Sequence, residues 1–259
     1  MSLRIADDDG VRLITLDRPH VLNAFDTPLY LAVADTLSQA SARDDISVAV
    51  ITGEGRAFSA GQDLAEMATL RAAADAGSAE AGSDGAGHGF PAFLDAVMAF
   101  PKPLLAAVNG IGIGIGLTLL PHCDLVLIAD TARLRGPFVP LGVVPEAGAS
   151  ITLPAVMGRQ RAAHLLYTGS WIDADEAVAC GLAWRACPPG RLLDETLGLA
   201  REIAAMPLES LVATKRLVQA GREEALRAAR AREDADFARL TGRAANREAL
   251  AAFLGKEGA

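Results

Sequence analysis

The chain has 259 residues, 51% of them hydrophobic and 22% charged, with a formal net charge of −8. That suits one large globular unit with a real core, and an acidic chain without a basic block argues against nucleic acid, whose phosphates need clustered Lys and Arg. Cys123, Cys180 and Cys187 lack CxxC spacing, and His20, His88, His122 and His164 form neither HxxxH nor HExxH, so the sequence predicts no disulfide framework, no metal site and a reducing, cytoplasmic setting.

In chain order, Met1-Ser2-Leu3-Arg4 followed by Asp7-Asp8-Asp9 lacks the basic and apolar regions of a signal peptide. Residues 11–16 alternate as a strand, and Asp8-Asp9-Gly10 before them predicts a hairpin with residues 2–6. Leu29, Ala32, Val33, Thr36 and Leu37 have helical spacing over 28–42. Residues 47–52, 104–108 and 125–129 are apolar enough for buried strands. Residues 103–123 carry no Asp, Glu, Lys or Arg and could span a bilayer by length. Asn109 and the alternating glycines in that stretch favour instead a strand, a turn and a buried helix. Residues 72–89, rich in Gly and Ala, read as a mobile loop, either a passive insertion or a lid. From Asp173 onward the pattern is helical over 173–180, 190–205, 208–220, 222–240 and 244–254. Strands alternating with helices, then helices alone, make this an α/β chain.

Three segments could carry chemistry. In Phe58-Ser59-Ala60-Gly61-Gln62-Asp63, small residues let a ligand approach the backbone, and Asp63 can cap a following helix. Asn109-Gly110-Ile111-Gly112-Ile113-Gly114-Ile115-Gly116 lies between a strand and the apolar run 117–120. Its glycine spacing does not match GxGxxG, which argues against a dinucleotide fold. A turn aiming N–H groups at a developing oxyanion remains. In Arg135-Gly136-Pro137-Phe138 to Pro145-Glu146-Ala147-Gly148, Glu146 is a lone charge among apolar residues. Burial would raise its pKa toward a value useful for proton transfer. The competing reading puts Glu146 in the first turn of a helix with Pro145 at N1.

Together these segments resemble the crotonase superfamily, the enoyl-CoA hydratases and isomerases. The likeness runs from Asp17-Arg18-Pro19-His20-Val21-Leu22-Asn23-Ala24-Phe25 through Ala57-Phe58-Ser59-Ala60-Gly61, Asn109-Gly110, Cys123-Asp124, Pro137 and Leu141-Gly142 to Thr214-Lys215. The resemblance implies a spiral of ββα repeats giving two stacked sheets over residues 1–195. It also implies a helical trimerisation region over 196–259, and a homotrimer or a dimer of trimers. The ligand would be an acyl-CoA substrate, with coenzyme A part of the substrate and no separate cofactor. The backbone N–H groups of Gln62 and Ile115 would form the oxyanion hole. Arg18, Ala60, Asp63, Phe138 and Lys215 would lie with the coenzyme A and substrate contacts, although Arg18 and Lys215 also read as solvated surface charges. The hydratases' two glutamates fall at Thr118 and Phe138, neither of which can act as an acid or base at neutral pH. The context of Glu146 is similar to that of the peroxisomal-type Δ3,Δ2-enoyl-CoA isomerases, which carry a single glutamate there. A different crotonase reaction, such as hydration, thioester hydrolysis or decarboxylation, is the first alternative. A catalytically silent acyl-CoA binding protein is the second. Trp171, Trp184, His164 and His122 read as packing or surface residues.

Overall fold

A computed structural model describes residues 2–67, 69 and 89–257. Among these residues ten strands form two sheets. The larger has the order β1 (Leu3–Asp8), β2 (Val11–Leu16), β3 (Val48–Gly53), β5 (Leu104–Val108), β7 (Leu125–Ala129) and β10 (Arg185–Cys187); the smaller has β4 (Ala57–Ser59), β6 (Ile111–Ile113), β8 (Arg133–Arg135) and β9 (Trp171–Asp173). β1 and β2 make the expected antiparallel hairpin, with Leu3 opposite Leu16 and Asp8 opposite Val11. From β2 onward the larger sheet is parallel. Its inner strands β3 and β5 are buried at every position, as parallel strands covered on both faces must be. This explains why they read as continuous apolar runs.

The winding follows from short links. β3 leads into β4, β5 into β6 and β7 into β8, each pair giving its first strand to the larger sheet and its second to the smaller. The result is the two-sheet α/β architecture that the sequence resemblance implied. Asn109 ties the crossings together: its side-chain amide donates to the carbonyl of Gly55 at 2.9 Å and its oxygen accepts from the N–H of Gly53 at 3.1 Å. Buried Asn23 does the same nearby, donating to the carbonyls of Glu54 and Ala57.

Helix α1 (Thr27–Ala42) starts at Asp26, whose carboxylate accepts from the N–H of Leu29 at 2.9 Å. Such a cap stabilises a helix by about 1 kcal/mol. Leu29, Tyr30, Val33, Leu37 and Ala40 form its buried stripe, packed against α2 (Gly89–Ala99) through Phe90, Phe93 and Leu94. α2 was not assigned from the sequence, although Phe90, Phe93, Leu94 and Val97 have helical spacing, because Gly89 and Pro91 open it. Both are tolerated in a first turn, where the N–H groups have no partner inside the helix. The loop expected over 72–89 lies outside the described residues, except that Gly89 begins α2.

The run 115–122 is a single helical turn, α3 (Ile115–Thr118), followed by a 3-10 turn over Leu120–His122. No helix among the described residues is long and apolar enough to cross a membrane. α4 (Ala149–Met157) and α5 (Arg159–Thr168) follow, then α6 (Ala174–Ala179) and α7 (Pro189–Ala204). α7 lies against β3, β5 and β7, burying Leu192, Thr196 and Ala200, and the division expected after residue 195 falls within it. α8 (Leu208–Ala220), α9 (Glu223–Leu240) and α10 (Ala244–Glu257) complete the helical end.

Candidate active site

Two glycine turns face each other. Gly61, at φ +94°, and Gly114, at φ +55°, stand so close that a Cβ on Gly114 would meet the Cα of Gly61 at 3.8 Å. A Cβ on Gly61 would lie 2.8 Å from the carbonyl oxygen of Ile113. Only glycine adopts these backbone angles without strain and permits that approach. The next residues are Gln62 and Ile115. Gln62 is held by a parallel bridge to Phe25, made by the N–H of Phe25 to Gly61 and the N–H of Asp63 to Phe25. That pairing leaves the N–H of Gln62 pointing away from Phe25. Ile115 opens α3, where the first N–H groups have no intrahelical acceptor. Neither N–H has a partner among the described residues.

Thr118 is one turn beyond Ile115 on α3. Its hydroxyl reaches Oε1 of Glu146 at 3.2 Å and the carbonyl of Gly114 at 3.2 Å. The sequence offered a helical first turn as one setting for Glu146, and the structure corrects it: α4 begins three residues later, at Ala149. Glu146 instead sits in the loop after β8. Burial pushes its pKa up to about 8, against a smaller lowering by the Thr118 hydroxyl, with the nearby charges of Glu233 and Asp234 raising it further. A carboxyl with that pKa is mostly protonated at neutral pH yet within about one pH unit of its midpoint, which suits one group to taking and returning a proton.

The walls are apolar. Phe138 is buried, and its ring flanks Gly136 beside Leu117. Phe25, Tyr30, Phe90 and Phe93 make an aromatic cluster with ring centroids 4.7 to 5.6 Å apart. Tyr30 went unnoticed in the sequence because it reads as one more position of the α1 stripe. Its hydroxyl donates to the side-chain oxygen of Gln62 at 2.9 Å, and Glu146 lies near enough to help raise its pKa, after the larger effect of burial.

Arg18 is not a solvated charge. Its guanidinium bridges Asp26, the cap of α1, at 3.1 Å and Asp63 at 3.0 Å, and donates to the carbonyl of Ala24. Asp63 caps the turn that follows by accepting from the N–H groups of Ala65 and Glu66. Ala60 is fixed beside them by its N–H to Leu22. Within one chain, Lys215 is not brought to this group, nor is it solvated. Its ammonium is buried, paired with Asp124 at 2.7 Å and bonded to the carbonyl of Lys102 at 2.8 Å. Asp124 and Lys102 precede β7 and β5, whereas the Asn109 turn follows β5, roughly 15 Å of strand away. No group of three or more His, Cys, Asp or Glu among the described residues could hold a metal.

The model of the enoyl-CoA hydratase/isomerase family matches residues 6–259. The chain belongs to the enoyl-CoA hydratase/isomerase family. Among curated relatives, it is 33% identical to the 1,2-epoxyphenylacetyl-CoA isomerase of Escherichia coli, over 96% of this chain and 94% of that one. It is 34% identical to the 2,3-dehydroadipyl-CoA hydratase of Escherichia coli, over 98% and 96%. An enoyl-CoA hydratase/isomerase crystal structure from Pseudoalteromonas atlantica superposes with a TM-score of 0.90 at 34% identity, covering 99% of this chain and 98% of that one. Relatives of one family thus carry the names of different reactions, and the fold alone does not decide between them.

Proposed function

We propose that this enzyme is a Δ3,Δ2-enoyl-CoA isomerase with Glu146 as its single base. The observation that carries this reading is one carboxyl, raised by burial to a pKa of about 8, in a site whose other two candidate positions hold Thr118 and Phe138. The backbone amides of Gln62 and Ile115, without partners among the described residues, follow the abutting glycines and would receive the thioester oxygen. Glu146 removes a proton from C2 of a 3-enoyl-CoA, and the electron pair moves through the C3–C4 double bond and the carbonyl to give a dienolate. Negative charge gathers on the thioester oxygen, where each fixed donor lowers the barrier by roughly 3 kcal/mol. The protonated Glu146 then delivers the proton to C4, leaving the double bond at C2. The proton is shuttled and not consumed, so one carboxyl suffices. Phe138 and the aromatic cluster keep water from the dienolate.

Coenzyme A is a part of the substrate in this reading, and Arg18, Ala60 and Asp63 frame its entrance. The assembly proposed is a homotrimer or a dimer of trimers. The deciding experiment incubates wild type and Glu146→Gln with a 3-enoyl-CoA in water enriched in 18O. Conversion to the 2-enoyl isomer without 18O, lost in the variant, is the expected result. Label in the product would mean hydration. Thioester binding without conversion, and without exchange of the C2 proton for deuterium, would mean a silent binder. Full activity in Glu146→Gln would remove Glu146 as the base.

A further inference from the structure

The backbone just after Glu146 is held in an unfavourable shape. Ala147 has φ +60° and Gly148 φ +72°. A non-glycine residue in the left-handed region persists where its surroundings over-determine it, and here they do. The Ala147–Gly148 peptide is gripped at both ends by side chains from distant elements. On one side, Nε2 of His122 lies 2.8 Å from the carbonyl oxygen of Ala147. A carbonyl only accepts, so the ring carries its proton on Nε2 and donates. His122 is 3% exposed, and burial, with Arg222, Arg230 and Lys215 nearby, lowers its pKa to about 4 and keeps the ring neutral. On the other side, the N–H of Gly148 donates to Oε2 of Glu233 at 2.6 Å, while the other oxygen accepts from the N–H of Ser150 at 2.7 Å. Glu233 belongs to α9 and is 5% exposed. The same helix closes over Gly148: a Cβ there would fall 2.2 Å from Leu226 Cδ1.

We infer that His122 and Glu233 are positioning residues for Glu146, clamping the adjoining peptide so that the C-terminal helix sets the aim of the base. The inference rests on Glu146 being the base. It also gives a role to two buried ionisable side chains that the proton shuttle does not use. A purely structural account makes Glu233 a cap for α4 and no more. The two accounts differ in what they move. Loss of a cap lowers stability, while loss of aim lowers the rate of the chemical step with little change in substrate binding.

The test uses the full chain and five variants: Glu146→Gln, His122→Leu, His122→Gln, Glu233→Gln and, as a control, Asp173→Ala. Asp173 is the remote cap of α6, and its loss should cost several degrees of Tm and no activity. For His122→Leu we expect kcat to fall on the order of a hundredfold, with KM within about threefold. His122→Gln keeps an N–H donor that can reach the Ala147 carbonyl and should recover most of that loss. Glu233→Gln should lower kcat and also move the acid limb of kcat/KM to lower pH, because it removes a negative charge near Glu146. The groups facing Glu146 there are Glu233, Asp234, Tyr30 and Thr118, and only the first is changed. If His122→Leu and Glu233→Gln lose Tm as Asp173→Ala does but keep the wild-type kcat and acid limb, the clamp is merely a cap and the inference is overturned. If His122→Leu does not fold, the Gln variants at 122 and 233 decide by the same readouts. Retained activity in Glu146→Gln would instead overturn the base assignment, and with it the inference, whatever the clamp variants do.

Discussion

At the scale of single residues, the behaviour of Glu146 turns on the hydroxyl of Thr118. A hydroxyl has one proton, and Thr118 has two acceptors at 3.2 Å, the Gly114 carbonyl and Glu146. When Glu146 is ionised, Thr118 can donate to it; when Glu146 is protonated, the carboxyl can donate to Thr118, which turns to Gly114. In the proposed mechanism the hydroxyl can therefore serve both halves of the proton shuttle. The pH dependence follows in sign. A base must start ionised, and burial holds Glu146 protonated up to about pH 8. So kcat/KM should climb about tenfold per pH unit well below that value and level off above it. Thr118→Val removes the one contact that favours the ionised form, so its limb should lie at higher pH and its rate at pH 7 should fall a few fold, roughly the worth of one hydrogen bond. Measured profiles of both proteins check this. A wild-type profile flat from pH 6 to 9 would exclude a base of raised pKa.

At the scale of elements, what the sequence disclosed depended on length and burial. β5 and β7 were readable to the residue because a strand buried on both faces is an apolar run with sharp ends. α1 and α8 were readable because an N-cap or a proline marks their start. The three-residue strands β6, β8, β9 and β10 were not, since three positions cannot display an alternation; only tertiary pairing identifies them. The glycines of the second segment pointed to close backbone approach, but not to which backbone, and Gly61 against Gly114 is a contact across 53 positions that no local pattern encodes. Lys215 illustrates the same limit. A lysine beside Arg216 in the second half of a helix reads as a solvated charge or a phosphate contact, and the Asp124 that binds it lies 91 residues away. Its place at the starts of β5 and β7 implies that it pins α8 to the sheet. Lys215→Met should therefore lower stability by about 1.5–3 kcal/mol, the range for a hydrogen bond to a charged group. KM for the acyl-CoA should be unchanged. Thermal melts and steady-state kinetics on one preparation separate the roles: a tenfold rise in KM at unaltered Tm would return Lys215 to coenzyme A binding.

At the scale of the whole molecule, the C-terminal helices have two faces with different partners. α9 turns inward, placing Glu233 and Leu226 against the loop that holds Glu146. α8 buries Lys215 on one side and presents Leu217 and Val218 on the other, 72% and 73% exposed in the single chain. Two adjacent aliphatic side chains so exposed, with half-exposed Met206 just before the helix, are costly in water, on the order of 1 kcal/mol or more each if they could be buried. Association with further copies of the chain would bury them, and a closed ring is the arrangement in which every copy covers the same patch. Wild type should then show a mass of three or six times 26.8 kDa by light scattering. Leu217→Asp combined with Val218→Asp puts two charges where apolar contact is expected, so the mass should drop while the single-chain fold, judged by circular dichroism, persists. The proposed base and clamp residues lie within one chain, so the dissociated variant should keep the pH profile of Glu146 even where its rate declines. A wild-type mass of 26.8 kDa would leave the exposed pair without that partner, and an unchanged mass in the double variant would place the contact on another face.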